Sequence, residues 1–314
     1  MRTMATTTTI ALLMLLAGCI ELPQDPDALA REPATGGTMS ASEASTQKSE
    51  LCTDGILQTD RRFCAERVVE VEGRLSGFAL LSVDLQTFNG AIKIRESRGS
   101  EWGFVATLRA RGSSAEDAMA KVDDIDFRWA HQDGDVHFLE VVARHQGNSD
   151  SRSASLELRM PRDVAMRLAA TTSNGDVSIE GGRTDGLALT TSNGKLVARS
   201  EVTQVALTTS NGAIDADLRP VGDGRWALVT SNGGISLKVP EGQEYGYSMD
   251  GRTSNGEVDY SLRDGTKGSC PQGSQYYTPP CNHRTFETRG FSSREHVVYA
   301  SLVTSNGKIS VGPA

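Results

Sequence analysis

Cysteine is the residue type in this 314-residue chain best suited to chemistry, and its five copies are Cys19, Cys52, Cys64, Cys270 and Cys281. The last four fall into two local pairs. Among the three connectivities that four cysteines allow, this spacing favours disulfides of Cys52 with Cys64 and of Cys270 with Cys281. Each bridge would close a loop of roughly a dozen residues and stabilise the fold by about 3 kcal/mol. A metal site at Cys270, Cys281 and His283 is the alternative, but it lacks a fourth ligand at a recognised spacing.

The titratable residues indicate no catalytic centre. No His-x-x-x-His or His-Glu-x-x-His pair occurs among the five histidines, which are His131, His137, His145, His283 and His296. A polysaccharide lyase or hydrolase would need clustered acids on adjacent repeats, whereas the candidate acids are scattered: Asp176, Asp215, Asp217 and Glu257. A calcium-binding β-roll would need Asp at a fixed position of Gly-rich repeats. We therefore expect a non-enzymatic protein without metal or cofactor, with the lyase or hydrolase as the alternative.

The N-terminus predicts export and lipidation. Residues 1–18 hold a short apolar run, Ile10 to Ala17, which is typical of a cleaved signal peptide and too short to span a bilayer. The sequence Leu16-Ala17-Gly18-Cys19 resembles the lipobox of lipoproteins, which implies cleavage before Cys19 and a lipid on its sulfur. Such a lipid anchors a protein to the outer membrane or periplasm of a Gram-negative cell, or otherwise to the outer face of the cell membrane. A plain secretory signal is the alternative.

Composition predicts a tether followed by a folded domain with an unusual core. Residues 19–50 are rich in Pro, Ser, Thr, Ala, Asp and Glu, so they cannot bury enough apolar surface to fold and should form a flexible stalk. The whole chain is 38% hydrophobic but only 5% aromatic, so small aliphatic residues must fill the core. Its net charge of -8, without a basic block, gives no electrostatic reason to bind nucleic acid.

An internal repeat dominates the C-terminal half. The word Thr-Ser-Asn-Gly occurs six times, and a near-copy, Thr87-Phe88-Asn89-Gly90, lies upstream. The turn residues of the repeat are Asn89, Asn174, Gly175, Asn193, Gly194, Asn211, Gly212, Asn232, Gly233, Asn255, Gly256, Asn306 and Gly307. From Asn174 to Asn255 the spacings are 19, 18, 21 and 23 residues, a near-constant period that signals a repeat architecture. The next gap is 51 residues, which predicts an insertion at about 264–295.

Apolar residues alternate on both sides of each turn, which predicts a strand, a turn and a second strand. Asn-Gly is either a two-residue hairpin turn in a meander or a corner of a solenoid whose coils stack through parallel strands. We favour the solenoid because a Thr at the same place in every copy is expected where like residues stack. We also expect inward Asn amides that hydrogen-bond along the stack, and turn glycines with positive φ. The predicted fold is all-β, a single-chain β-solenoid with one short helix, Ser113–Val122.

The repeat resembles the putative-adhesin family, a family of domains of unknown function. The matching words are TSNGDVSIEG from Thr172 and TSNGKISVG from Thr304, with Phe-Asn-Gly-x-Ile-x-Ile from Phe88, Ala-Glu-Asp-Ala from Ala115 and Leu-x-Met-Pro from Leu158. The resemblance covers about residues 66–314. It implies a β-solenoid in the cell envelope, either as an adhesin-like surface module or in an envelope-stress response, and it implies no catalytic residues.

Together these features predict five segments: a signal peptide (1–18), a stalk (19–50), a disulfide-closed segment (51–65), an irregular N-terminal part of the domain (66–167) and the repeats with their insertion (168–314). The expected partners are a membrane, through the lipid on Cys19, and an envelope protein or polysaccharide bound by the repeat surface.

Overall fold

The computed structural model describes residues 38–51, 63–76, 80–132, 136–145, 151–270 and 281–314. One α-helix, α1 (Ala115–Asp123), and one 3-10 helix, η1 (Phe291–Ser293), accompany twenty strands within these ranges. The strands are β1 (Thr38–Leu51), β2 (Phe63–Ser76), β3 (Leu81–Gln86), β4 (Ile92–Ser97), β5 (Glu101–Gly112), β6 (Ile125–Gln132), β7 (His137–His145), β8 (Arg152–Pro161), β9 (Ala165–Thr171), β10 (Val177–Thr191), β11 (Leu196–Thr209), β12 (Ile214–Pro220), β13 (Gly224–Thr230), β14 (Ile235–Val239), β15 (Tyr245–Thr253), β16 (Val258–Tyr260), β17 (Gly265–Lys267), β18 (His283–Thr288), β19 (His296–Thr304) and β20 (Ile309–Pro313).

The strands form two facing sheets, which we call sheet A and sheet B. Sheet A follows the order β6, β7, β3, β9, β10, β11, β13, β19, β15, β18 and β17. Sheet B follows the order β1, β2, β5, β8, β4, β10, β11, β12, β14, β20 and β16. The long strands β10 and β11 start in sheet B and end in sheet A, so all twenty strands belong to one hydrogen-bonded network.

Successive repeats stack as parallel coils, which confirms the predicted β-solenoid. A coil consists of a sheet A strand, the Thr-Ser-Asn-Gly corner, a sheet B strand and a second corner. Strand β10 pairs in parallel with β11, and Thr191 lies beside Thr209. The corner of one coil therefore lies directly against the corner of the next. The hairpin alternative is wrong at the repeats, because the two strands that flank each corner belong to different sheets.

The order of the coils in space differs from their order in the chain. Strands β19 and β20, the last in the sequence, lie between β13 and β15 in sheet A and between β14 and β16 in sheet B. The insertion forms β17 and β18, which extend sheet A beyond β15 in antiparallel pairing. The chain then returns to place its final coil inside the stack. Likewise, β3 and β4 lie between strands that follow them in sequence.

Aliphatic side chains fill most of the middle of the solenoid, and pairs of aromatic side chains lie towards its two ends. The inward residues of the central coils are at most 1% exposed: Val177, Ile179, Leu187, Leu189, Leu196, Ala198, Leu207 and Ile214. Near the N-terminal end Phe104 packs against Trp129, with ring centroids 5.6 Å apart. At the other end Tyr260 packs against Phe286 at 5.8 Å. Trp226 of β13 is fully buried as well, so a middle coil also holds a large aromatic side chain.

The helix lies where the sequence predicted one, in the irregular N-terminal part. Ser114 is its N-cap, and the Ser114 hydroxyl accepts a hydrogen bond from the backbone N–H of Asp117 at 3.1 Å. Ala118 and Val122 are buried in a second, smaller core cluster with residues of β2 and β5. The helix therefore packs beside the solenoid, with its acidic first turn towards solvent.

The predicted stalk is too long, because its last part is the strand β1. Residues Thr38–Leu51 pair antiparallel with Phe63–Ser76 over their whole length. The side chains of residues 42–48 are exposed, so composition gave no sign of order. The backbone ladder with β2 supplies the stabilisation that these polar side chains do not. The domain thus begins before residue 66, while the signal peptide, Cys19 and the remaining stalk lie outside the described residues.

Candidate functional site

The threonines of the repeat lock each corner to the next coil. Thr209 is fully buried, and its Oγ1 donates to the carbonyl oxygen of Gly194 at 3.1 Å. The same bond recurs along the stack from Thr172 to Gly90, Thr191 to Gly175, Thr230 to Gly212, Thr304 to Gly233 and Thr253 to Gly307, at 2.8–3.0 Å. A threonine suits this place because its branched carbon fits a strand while its hydroxyl satisfies a carbonyl. These threonines are therefore structural.

The corner glycines are needed for close approach between coils, and the prediction that they adopt positive φ is wrong. Among the described non-glycine residues only Asn89 has a positive φ, of 38°, and no corner glycine does. A Cβ on Gly194 would lie 1.8 Å from the oxygen of Gly175, and one on Gly212 would lie 1.7 Å from the oxygen of Gly194. Similar distances of 2.0–2.1 Å hold at Gly175, Gly233, Gly256 and Gly307. Any side chain at these positions would push neighbouring coils apart.

The corner asparagines form the expected amide ladder, but they are not inward. Asn211 donates from Nδ2 to Oδ1 of Asn193 at 2.7 Å and accepts from Asn232 at 2.7 Å, and its side chain is exposed. The ladder continues through Asn174 and Asn89 on one side and through Asn306 and Asn255 on the other. The inward prediction is wrong because the strand ends at the threonine, so the asparagine lies within the bend and its side chain points along the outside of the stack.

The cysteines of the insertion are joined to each other and hold no metal. Cys270 and Cys281 form a disulfide with a Cα–Cα distance of 5.0 Å, so neither has a thiolate for a metal. His283 instead contacts Asp250, with Nε2 3.0 Å from Oδ1. Cys64 is disulfide-bonded as well. Cys52 lies outside the described residues, so its pairing with Cys64 stays a prediction. Within the described ranges no three His, Cys, Asp or Glu side chains meet in a group that could hold a metal ion.

The four acids considered for catalysis lie on several coils. Asp215 forms an ion pair with Lys195 at 3.2 Å, and Asp176 accepts the backbone N–H of Lys195 at 2.8 Å. Asp217 lies on the same strand as Asp215 and beside Arg199 of the next strand. Glu257 is exposed beyond the corner of the Asn255 coil, several coils away in the stack. Asp176 and Asp215 thus both contact Lys195, whereas Glu257 lies apart, and the four acids do not form one cluster.

The outer surface of sheet B is a surface of paired charges. Ion pairs join neighbouring strands at Arg95 and Glu157, 3.9 Å apart, and at Arg199 and Glu180, 3.5 Å apart. All four side chains are about half exposed, so these pairs contribute little to stability. Charged groups with partners nearby are therefore part of this surface, alongside uncharged side chains such as Val197 and Ser236.

The outer surface of sheet A is different, because its middle five strands carry two rows of small uncharged side chains. One row crosses β9, β10, β11, β13 and β19 through Ala169, Ala188, Ala206, Ala227 and Ser301. The other row consists of Thr171, Thr190, Thr208, Val229 and Val303, of which Val229 is only 8% exposed. We call these ten residues the uncharged face. With neighbouring strands about 4.8 Å apart, it extends roughly 19 Å across the stack.

Charged residues border the uncharged face at both ends. Asp84 of β3 lies beside Ala169, and Asp250 of β15 lies beside Ser301. Burial is the largest effect on Asp84 and raises its pKa, and the nearby Glu140 carboxylate acts in the same direction. Burial would also raise the pKa of Asp250, but Arg252 and His283 outweigh it and hold that pKa below its usual value. The face therefore ends in an acidic group on either side.

The sequence carries a signal for this face, although the alternation of the repeat did not predict it. The two residues that lie five and three positions before the asparagine are uncharged in five consecutive coils of the stack, from Asn174 to Asn306. In the flanking coils of Asn89 and Asn255 the same positions include Asp84 and Asp250. The inward apolar positions dominate the repeat, so the positions between them resemble an ordinary solvated surface. A surface position of the repeat is therefore informative when the residue there is uncharged in one coil after another.

The sequence matches the family model described as Toastrack DUF4097 over residues 81–275. The chain belongs to this family. The family predicted from the Thr-Ser-Asn-Gly repeat is thereby confirmed, and the Toastrack match covers the irregular N-terminal part as well as most of the repeats.

Two solved structures match the Toastrack chain at low sequence identity. A putative cell adhesion protein from Clostridium sporogenes shares 7% sequence identity over 86% of this chain and 100% of its own, with a TM-score of 0.45. A putative adhesin from Bacteroides fragilis shares 12% identity over 78% of this chain and 97% of its own, with a TM-score of 0.23. Neither score is high enough to transfer a function. No curated protein matches the sequence.

Proposed function

We propose that this protein is a non-enzymatic, lipid-anchored protein of the cell envelope that acts as an adhesin-like module. The lipid on Cys19 holds it at a membrane, and the uncharged face of sheet A binds a partner, either a protein or a polysaccharide. The partner belongs to the envelope or to a surface that the envelope meets, and an envelope-stress response is one setting in which such binding is useful.

The uncharged face is the observation that carries this proposal. A solvated sheet surface normally presents charged side chains, as sheet B does here. An uncharged and regular surface of this extent is instead typical of a surface that another molecule covers. Its threonine hydroxyls both donate and accept hydrogen bonds, so they offer polar contacts without the desolvation cost of a charge.

The N-terminal sequence supports the anchoring part of the proposal. The apolar run before Cys19 and the small residues Ala17 and Gly18 are what lipoprotein processing requires. Among the described residues the one α-helix is α1, which has nine residues, and no helix there is long and apolar enough to cross a membrane. Anchoring by Cys19 predicts that the full chain labels with a clickable palmitate and sediments with membranes. The Cys19→Ala variant should lose the label, and a variant that kept it would contradict the anchor.

A charge placed on the uncharged face tests the binding part. The full chain carrying Ala206→Glu should bind the envelope fraction of its own cells about tenfold more weakly than wild type, because an unpaired carboxylate would be desolvated in the contact. Ser236→Glu places the same carboxylate on the outer side of sheet B and serves as the matched control. Equal binding by both variants would contradict a role for sheet A.

A further inference from the structure

One large aromatic side chain stands out beside the uncharged face. Tyr299 of β19 is 55% exposed, and the one other exposed large hydrophobic among the described residues is Val136. Its strand neighbours Val298 and Ala300 point inward and are buried. A single exposed aromatic side chain is ordinary on a protein surface, so the neighbours of Tyr299 decide whether it can bind a ligand.

The insertion supports this ring from one side. Phe291 of η1 contacts Tyr299 in a T-shaped arrangement, with ring centroids 5.1 Å apart and ring planes at 79°. Phe291 is half-buried, and the 3-10 helix that carries it lies immediately before β19. Such edge-to-face contact restricts the tyrosine ring while leaving much of it open to solvent. A ring held in this way can receive a ligand at a low cost in side-chain entropy.

Polar side chains flank Tyr299 in one row across the sheet. Arg225 lies beside it on β13, and Ser248 lies beside it on β15. The row continues to Glu287 on β18 and to Gln204, whose Oε1 accepts the backbone N–H of Arg225 at 3.1 Å. Within the described part of the chain, neither the Arg225 guanidinium nor the Tyr299 hydroxyl has a side-chain hydrogen bond or ion pair. We call these five residues the Tyr299 row.

We propose that the Tyr299 row binds a polysaccharide, with a sugar ring lying on the exposed side of Tyr299. This inference rests on the proposed binding function and names its partner class. The row supplies an apolar ring for the C–H groups of a sugar and, on either side, amide, guanidinium, hydroxyl and carboxylate groups for its hydroxyls.

A polysaccharide fits this surface better than a protein. The adjacent uncharged face is made of small side chains, including Ala206, Ala227 and Ser301, so it offers no deep pocket for the large anchor residue of a protein partner. The strands repeat about every 4.8 Å, so the row places polar groups at regular intervals. A polymer of similar units can contact such regularly spaced groups along its length.

Binding by three variants of the full chain tests the inference. The probes are protein-free polysaccharide extracted from the envelope of the producing cells and a printed panel of neutral, amino and uronic oligosaccharides. We expect Tyr299→Ala to weaken binding about tenfold or more and Tyr299→Phe to stay within about twofold of wild type, because the ring carries the contact. Val136→Ala is the matched control, since it removes the other exposed hydrophobic side chain. Thermal unfolding of each variant checks that the fold is intact.

The outcomes separate the two proposals. Glycan binding that Tyr299→Ala leaves unchanged would overturn the assignment to the Tyr299 row and leave the binding function standing. If wild type binds no glycan but still binds an envelope protein through sheet A, the assignment of a polysaccharide as the partner class is overturned and the partner is a protein. Wild type that binds neither would overturn the proposed function together with this inference.

Discussion

The threonine contacts between coils lead to the sharpest prediction about stability. Thr209→Val keeps the branched shape of the side chain and removes the hydroxyl that donates to the Gly194 oxygen at 3.1 Å. Thr209 is 0% exposed and Gly194 is buried, so water cannot replace the lost donor without opening the corner. Leaving a buried carbonyl unsatisfied costs about 1–3 kcal/mol, and we expect Thr209→Val to destabilise the protein by that amount.

The neighbouring threonine supplies the control. Thr208 lies on the same strand and points to the outer surface of sheet A, where it is half-buried. Thr208→Val is the same chemical change on the opposite side of the sheet, and it should alter the free energy of unfolding by less than about 0.5 kcal/mol.

Guanidinium unfolding of both variants measures the difference. A change in midpoint at constant slope reports a change in stability, and thermal unfolding should show roughly 2–4 °C of shift per kcal/mol for a domain of this size. Coils of a solenoid can unfold in steps, so both variants are compared with wild type by the same probe. Equal midpoints for Thr209→Val and Thr208→Val would refute the role of the corner hydroxyl.

Three further perturbations test other parts of the structure. Gly212→Ala places a Cβ 1.7 Å from the Gly194 oxygen, and it should cost about 3 kcal/mol of stability or prevent folding. Gly222→Ala is the control: its Cβ would have its nearest neighbour at 3.9 Å, so the melting temperature should not change. Asn211→Val removes two exposed hydrogen bonds between side-chain amides and should cost about 1 kcal/mol in the same unfolding assay, less than the loss of the buried Thr209 hydroxyl. A larger cost would contradict the exposed position of Asn211. Hydrogen bonds from the backbone N–H of Ser113 and from Lys121 hold the pKa of Asp117 at about 2, below the value of about 3.9 for an aspartate in an unfolded chain. The ionised Asp117 therefore contributes its full stabilisation above about pH 3.9, and this contribution disappears as the pH falls through about 2. Asp117→Asn should therefore be less stable than wild type at pH 7 and approach wild type below about pH 2, and a difference that persists there would contradict this.

The repeat and its alternation were enough to predict the architecture of the coils. A four-residue word at a near-constant period requires like residues to stack, and a strand pattern on both sides of the word places a corner there. The mainly aliphatic core followed from the same pattern, because the inward positions of the middle coils hold Val, Ile, Leu and Ala, with Trp226 as an aromatic exception. Both predictions depend on local periodicity, which a single sequence shows directly.

Features set by long-range pairing could not be predicted in the same way. The insertion of β19 between β13 and β15 depends on which coil presents the better partner, and no local pattern encodes it. The strand β1 is stabilised by its backbone ladder with β2, so its polar side chains resembled a stalk. The position of Asn211 on the outside follows from the geometry of the corner.

The candidate site was harder to predict than the fold because it is a surface without distinctive residues. Ala206 and Thr208 have no chemistry that marks them singly, and they become a face only when the register stacks them. The exposure of Tyr299 likewise appears only once the strand direction is known.

Photo-crosslinking in the cells that make the protein tests the central claim most directly. A photoreactive residue is placed at position 206 on the uncharged face of sheet A, or at position 236 on the outer side of sheet B, in the full chain. A binding role for sheet A predicts a crosslinked envelope partner from position 206 and none from position 236. Adducts from position 236 alone, with none from position 206, would contradict it.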